Sequence, residues 1–204
     1  MRLAILGATG GIGRILVSNA LAQGHDVTVF VRSPEKINHK NPRLRVIGGD
    51  LYDVQQTSAA IEGSDAVLSA FGPTVFGKTT LRRDFGRVLT QALRVAGVQR
   101  ILHVSAALLF PDAGLFTALF ANSLMRNVTR DHADSEIELT QPDLAWTMVR
   151  PPRLTNGPAK HRYRVSSGHL PEGGIIISRA DVAAFMLKEA VQPQYLRQIV
   201  GLSN

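Results

Sequence analysis

Three glycines near the amino terminus have the spacing of a phosphate-binding turn. They stand in the segment GATGGIG, directly after the apolar run LAIL. In such a turn the first glycine makes the tight bend, the second leaves room for a pyrophosphate, and the third lets a helix pack against the sheet. That helix directs its backbone N–H groups and positive dipole end toward the phosphates. The segment predicts a dinucleotide site with contacts from Gly7, Thr9, Gly10, Gly11, Ile12 and Gly13.

The end of the second predicted strand indicates which dinucleotide binds. This strand ends at Arg32, and Ser33-Pro34 then predicts an N-capped helix start with Lys36 in its first turn. A carboxylate at this place binds the ribose 2′-hydroxyl of NAD, whereas Arg32 and Lys36 attract a 2′-phosphate. We therefore expect a preference for NADP(H), while the nearby Glu35 leaves NAD(H) possible.

Two further strand ends extend the expected cofactor path. Asp50 and Leu51 follow the third predicted strand and are expected to border the adenine, although an aspartate at this place also commonly caps a turn. The residues that end the fourth strand are expected beside the ribose and nicotinamide. These residues are Ala70, Phe71 and Gly72.

The elements that hold these residues alternate along the chain. Short β-branched apolar runs alternate with segments of helical period, which predicts an α/β fold with a doubly wound parallel sheet, the NAD(P)-binding Rossmann fold. We expect one domain over residues 1–204, with a cofactor half to about residue 106 and a substrate-side half after it. The predicted strands are Arg2–Leu6, Asp26–Val31, Leu44–Gly48, Ala66–Ala70, Arg100–Ser105, Ala145–Arg150, Tyr163–Val165, Gly174–Ile177 and Gln198–Gly201. The predicted helices are Ile12–Gln23, Val54–Ile61, Thr79–Ala96, Leu115–Leu139 with a break near Asn122, and Arg179–Val191.

Composition narrows the class of protein. The chain is 45% hydrophobic and contains no cysteine, so disulfides, thiolate metal sites and cysteine nucleophiles are excluded. We expect a cytoplasmic protein without a metal. The formal charge of +7 is scattered rather than grouped in a nucleic-acid-binding module, and an anionic small ligand accounts for part of it. No segment has the unbroken apolar length that a membrane span needs.

Several motifs resemble those of the atypical short-chain dehydrogenase/reductases, and within them the biliverdin IXβ reductase/flavin reductase group. The glycine turn is common to the whole superfamily, whereas Arg150–Pro152 and Ile177–Asp181 are more specific. The resemblance implies NADPH-dependent hydride transfer to flavins or open tetrapyrroles, with flavin as a released substrate rather than a bound cofactor. We also count Pro151 among the expected cofactor contacts.

The general acid of classical relatives is missing. They use a Tyr-x-x-x-Lys pair, but none of Tyr52, Tyr163 and Tyr195 is followed by lysine four places later. An alcohol dehydrogenase needs such a phenol to move the proton that accompanies hydride. A conjugated acceptor needs it less, because its reduced charge is delocalised and solvent can supply a proton.

Ser105 and His132 are the catalytic candidates. Ser105 ends the fifth predicted strand, where ligands approach such sheets, and is expected to hydrogen-bond the nicotinamide or the acceptor. Its alternative is a hydroxyl bonded to backbone. His132 is able to donate a hydrogen bond to an acceptor, but a helix histidine with a structural hydrogen bond is the interpretation we favour.

Candidate substrate contacts lie later in the chain. Arg153 stands where better-known members of the group carry a histidine, and it would bind an acceptor carboxylate or phosphate, supplemented by Lys78. Opposite these cations an apolar wall would stack on a flat ring, unless its residues pack in the core. The wall is expected from Leu108, Leu109, Phe110 and Phe116.

Three functions stay open at this point. A reductase of small, anionic, aromatic acceptors, with neither nucleic acid nor membrane as partner, is the leading hypothesis. An NmrA-like sensor that binds the dinucleotide without turnover is the second, since the missing tyrosine pair fits both. A nucleotide-sugar epimerase or dehydratase fits poorly, because the chain is short for that group and lacks the tyrosine.

Overall fold

A computed structural model describes residues 1–72, 79–110 and 126–204 of the chain, which form alternating strands and helices. The strands are β1 (Arg2–Leu6), β2 (Asp26–Val31), β3 (Leu44–Gly48), β4 (Ala66–Ser69), β5 (Arg100–Val104), β6 (Ala145–Arg150), β7 (Arg153–Thr155), β8 (Arg164–Ser167), β9 (Ile176–Ser178) and β10 (Gln198–Ser203). The α-helices are α1 (Gly11–Ala22), α2 (Val54–Ile61), α3 (Leu81–Val95), α4 (Arg126–Leu139) and α5 (Arg179–Val191). Two 3-10 helices cover Pro34–Lys36 and Ala107–Leu109.

Eight strands form one sheet in the order β3-β2-β1-β4-β5-β6-β10-β8. Its pairs are parallel except for β10 with β8, and β7 pairs with β9 in a small parallel sheet. The chain builds outward from β1 to β3 and then returns to β4 on the other side of β1. In register, Leu6 lies between Phe30 and Ser69. A reversal of this kind opens a crevice at the carboxyl ends of the strands, where ligands bind.

Helices cover both faces of the sheet. Helices α1 and α5 pack on one face, and α2, α3 and α4 pack on the other. Alternating residues of β1 enter the two layers: Leu3 and Ile5 face α1 and α5, whereas Ala4 and Leu6 face the opposite layer. Burial on both faces explains why the strand appears in the sequence as a continuous apolar run.

The predicted Rossmann fold is confirmed, and the bounds of β1, β2, β3, β6, α2 and α5 are those expected. Strands β4 and β5 end one residue early, although the N–H groups of Ala70 and Ser105 still donate to the neighbouring strands. Strand β7 was not expected, because prolines precede it and it is three residues long. The predicted helix Leu115–Leu139 is observed from Arg126 onward; residues 115–125 lie outside the described residues.

A carboxylate on α4 caps the start of α3. Asp131 accepts hydrogen bonds from the backbone N–H groups of Arg82 and Arg83, each at 3.2 Å. It also pairs with the Arg82 guanidinium at 3.3 Å, and both side chains are buried. Thr80, the N-cap residue of α3 itself, makes no side-chain cap hydrogen bond. Asp131 therefore fixes α3 against α4 by satisfying N–H groups at the positive end of the helix.

Candidate functional site

The glycine turn joins β1 to α1 in the way the sequence predicts. Gly7 has a φ of 78°, and a Cβ there would lie 2.6 Å from the backbone of Ala70. A Cβ on Gly13 would collide with the carbonyl oxygen of Gly7. The N–H of Gly10 closes the turn with a 2.9 Å hydrogen bond to the same carbonyl. Side chains at the first and third glycines would thus break the turn itself.

The amino end of α1 is open to an anion. Gly10 is the N-cap residue and supplies no side-chain hydrogen bond, so the first N–H groups of the helix lack a side-chain cap. Ile12 is buried and anchors the first turn of the helix to the core. An uncapped helix start that faces a strand crevice is an arrangement that binds phosphate.

A cavity of about 510 Å³, which we call the cradle, lies along the ends of β1 to β4. Nine of the predicted cofactor residues line it: Gly7, Thr9, Gly10, Arg32, Asp50, Leu51, Ala70, Phe71 and Gly72. Four further lining residues were not predicted: Phe30, Val31, Tyr52 and Leu81. Residues at the ends of four different strands therefore line the cradle, at the place where the strand order of the sheet reverses.

The cations predicted to select NADP(H) differ in their placement. Arg32 is exposed and borders the cradle, whereas Lys36 is exposed in the 3-10 helix and is not among the lining residues. The expectation for Ser33 is corrected: its side chain makes no cap hydrogen bond, because Pro34–Lys36 is a 3-10 turn rather than the start of an α-helix. Of the two predicted cations, Arg32 is thus the one that borders the cradle.

Asp50 and Tyr52 form the side of the cradle that faces α3. The Asp50 carboxylate accepts a 3.0 Å hydrogen bond from the backbone N–H of Tyr52, so it caps a turn and borders the cradle at once. The Tyr52 hydroxyl donates to the carbonyl of Leu81, and burial, helped by the carboxylate of Asp131, raises the pKa of its phenol. An aromatic residue directly after the predicted pair Asp50-Leu51 was the available signal for Tyr52.

A second cavity of about 430 Å³ lies at the ends of β5 and β6. Three predicted residues, Leu108, Pro151 and Arg153, line it, so Pro151 borders this cavity rather than the cradle. The other lining residues are Ala106, Ala107, Pro152, Leu170, Gly174 and Ile175. Apart from the exposed Arg153, the lining residues are apolar.

Ser105 lies directly before the lining residues of the second cavity. It is 6% exposed, and its N–H donates to the carbonyl of Val149 at 2.7 Å. Its Oγ is buried without a hydrogen-bond partner among the described residues. The alternative of a hydroxyl bonded to backbone is therefore not what this structure shows. A buried hydroxyl without a partner costs free energy unless a ligand satisfies it.

His132 cannot act as a cationic acid. Burial, together with the positive charge of Arg82, lowers the pKa of its imidazole to about 3. Its Nδ1 is buried and has no hydrogen-bond partner within the described part of the chain. The ring is neutral near pH 7 and is able to donate only through an N–H.

Leu109 and Phe110 lie beside the second cavity without lining it, whereas Leu108 does line it. Phe110 is buried beneath the guanidinium of Arg150, at 4.8 Å from its ring centre. Arg150 also donates to the carbonyl of Leu109 at 3.1 Å and pairs with the buried carboxylate of Glu136. Core packing is thus the role that the structure gives Phe110. Lys78 and Phe116 lie outside the described residues.

The comparisons with known proteins fit this geometry. A family model described as NAD(P)H-binding matches residues 7–193, a span that includes both cavities. The chain belongs to the NAD(P)H-binding family. This confirms the predicted NAD(P)-binding Rossmann family.

Two relatives of similar length match this chain almost from end to end. The uncharacterized protein YwnB of Bacillus subtilis is 28% identical over 96% of this chain and 94% of its own length. A structure from Streptococcus pneumoniae, provisionally named an NADH-flavin reductase, is 27% identical with a TM-score of 0.78, covering 100% of this chain and 99% of that one. The chain spans 33% or less of the next three curated relatives.

A more distant structure shows the fold alone. It is a wide-type short-chain dehydrogenase/reductase from Veillonella parvula in complex with NADP, with 22% identity and a TM-score of 0.79, covering 100% of this chain and 94% of that one. As for membranes, no helix in the described ranges has the length and apolarity to span a bilayer.

Proposed function

We propose that this member of the NAD(P)H-binding family is an NADP(H)-dependent reductase of a conjugated, anionic acceptor such as free flavin or an open tetrapyrrole. The observation that carries the proposal is the Ser105 hydroxyl. It is buried and unpaired among the described residues, and it lies next in the chain to the first lining residue of the second cavity. A polar group left unsatisfied in this way points to a ligand that accepts or donates a hydrogen bond there.

The cradle fits a dinucleotide by its shape and charge. The missing side chain of Gly10 and the uncapped start of α1 leave space and N–H groups for a pyrophosphate. Arg32 supplies a guanidinium at the place of the ribose 2′-phosphate, and β2 offers no carboxylate at its end. We infer that NADP(H) is preferred and that Asp50, Leu51, Ala70, Phe71 and Gly72 border its adenosine and nicotinamide halves.

The second cavity fits a flat acceptor with a negative charge. Its apolar lining would pack against a flat ring, and the exposed Arg153, which also lines it, would bind a phosphate or carboxylate. The provisional name of the Streptococcus pneumoniae relative is in line with a flavin as acceptor.

The proposed reaction needs little acid–base catalysis from the protein. Bound NADPH supplies a hydride equivalent to an electron-poor ring. Ser105 holds one partner by a hydrogen bond, and Arg153 holds the acceptor anion. Because the sequence lacks a Tyr-x-x-x-Lys pair and His132 is neutral, we propose that solvent or a weak side-chain donor supplies the proton. A delocalised reduced ring tolerates this arrangement, whereas an alcohol product would not.

Steady-state NADPH oxidation with FMN, FAD and biliverdin tests the proposal. A reductase shows oxidation that depends on the acceptor and saturates with it, and reduced acceptor forms in equal amount. A sensor binds NADPH but shows no acceptor-dependent oxidation, and that result would overturn the proposal. The control is the rate of NADPH oxidation by the same protein without acceptor.

A further inference from the structure

The segment Ile177–Asp181 marks the family resemblance, but neither cavity accounts for it. It joins β9 to α5, and its arginine crosses to the glycine turn. We propose that Arg179 is an additional cofactor-binding residue, which contacts the pyrophosphate of the dinucleotide over the amino end of α1. The inference rests on the proposed dinucleotide site and adds to it a charged contact contributed by a distant segment.

The position of Arg179 follows from a missing side chain. A Cβ on Gly11 would lie 2.7 Å from the Arg179 Cδ and 2.9 Å from its Nε. The arginine therefore passes over the first residue of α1 in the space that any other residue at position 11 would fill. Gly11 is exposed and begins the helix whose uncapped N–H groups face the cradle. This puts the guanidinium beside the expected phosphates.

The charge of Arg179 has no carboxylate partner among the described residues. Its Nη1 donates a 2.7 Å hydrogen bond to the Asn156 side-chain oxygen, which orients the guanidinium and leaves further N–H groups for a ligand. Arg14 adds a second cation at the same turn, held by a 2.9 Å hydrogen bond from its Nε to the carbonyl of Thr9. Guanidinium groups gathered at a helix start favour an anion.

Buried hydrogen bonds hold the segment that carries Arg179. The Ser178 hydroxyl accepts from the N–H of Asp181 at 2.9 Å and donates to its carboxylate at 2.8 Å. The fully buried Asp181 also accepts from the backbone N–H groups of Lys160 and His161, each at 2.9 Å. The start of α5 and the loop after β7 are thereby tied together, so Arg179 and Asn156 are presented to α1 in a fixed relation.

Calorimetric titration of Arg179→Gln tests the proposal with three ligands. Loss of the contact is expected to weaken the binding of NADPH and ADP-ribose, which both contain the pyrophosphate, by about tenfold. This is the effect of losing one charge-assisted hydrogen bond. Adenosine 2′-phosphate, which lacks the pyrophosphate, should bind as before. Lys188→Gln removes an exposed charge at the far end of the same helix and is the matched control. Unchanged NADPH and ADP-ribose binding in Arg179→Gln would overturn the proposal.

Gly11→Ala gives a second, independent test. The added methyl displaces the flexible Arg179 side chain without breaking the fold, since alanine favours a helix more than glycine does. The affinity for NADPH should fall to the same degree as in Arg179→Gln. The double variant should bind NADPH no more weakly than either single variant. Additive losses would mean that the methyl acts on the ligand directly and would count against the proposal. If the wild-type protein binds no dinucleotide, the proposed function fails instead.

Discussion

The cradle and the second cavity are built in different ways. Short segments at the ends of β1 to β4 line the cradle, and the backbone largely determines its shape. The second cavity is lined by the segments that follow β5 and β6, by Arg153 of β7 and by the loop before β9. Buried charges hold its 3-10 helix, because Glu136 pairs with Arg150, which donates to the carbonyl of Leu109. A backbone-built site is robust to distant changes, whereas a site held by buried ion pairs depends on each partner.

The largest expected effect comes from breaking that ion pair. Glu136→Gln leaves the buried Arg150 guanidinium without its counter-charge, which is expected to lower the free energy of unfolding by about 3–5 kcal/mol. Asp143→Asn is the control, because it removes an exposed pair with Arg94 that solvent screens, so its loss of stability should be much smaller. Urea unfolding of both variants measures the difference. Equal losses would contradict the dependence of the second cavity on buried charge.

The next effect concerns His103, which lies between the two regions. Its ring is buried, Nδ1 lies 3.0 Å from the Ser69 hydroxyl, and burial lowers the pKa of the imidazole to about 4. The unfolded state therefore binds a proton more readily, so folding stability is present above the ordinary pKa near 6.5 and is lost as pH falls toward 4.

We expect His103 to account for a loss of about 2 kcal/mol in unfolding free energy between about pH 7.5 and about pH 5. His103→Asn keeps a polar partner for Ser69 but does not titrate, so its stability should fall less over the same range. Urea unfolding at the two pH values is the measurement. Identical pH dependence in the variant and the wild type would show that His103 is not the titrating group.

A smaller effect is expected from Ser105→Ala. Removing one hydrogen bond to a ligand should lower acceptor-dependent turnover by roughly two- to tenfold. Ser18→Ala, on the exposed face of α1, is the surface control. Complete loss of turnover would instead assign Ser105 a role in proton transfer.

The same contrast explains what the sequence could predict. The cradle was predictable because its contacts follow strand ends: the glycine turn, Arg32 and Asp50 are each set by neighbours in the chain. Tyr52 and Leu81 were missed, because their place depends on how α3 packs. In the second cavity, Arg153 was foreseen from the chain after the prolines, but Phe110 packs beneath Arg150 through contacts 40 residues apart in sequence. Pairings such as Asp131 with Arg82, or Gly11 with Arg179, leave no local pattern.

The proposal of separate cofactor and acceptor sites is tested most directly by comparing Arg32→Ala with Arg153→Ala. For each variant, the dissociation constants of NADPH and NADH and the KM values for FMN and riboflavin are measured. Arg32→Ala should weaken NADPH by about 1.5–3 kcal/mol, the loss of a hydrogen bond to a charged group, with little change for NADH or for either acceptor. Arg153→Ala should raise the KM for FMN, which carries a phosphate, and leave riboflavin and NADPH unchanged. Unchanged NADPH binding in the first variant, or equal effects of both variants on cofactor and acceptor, would contradict separate cofactor and acceptor sites.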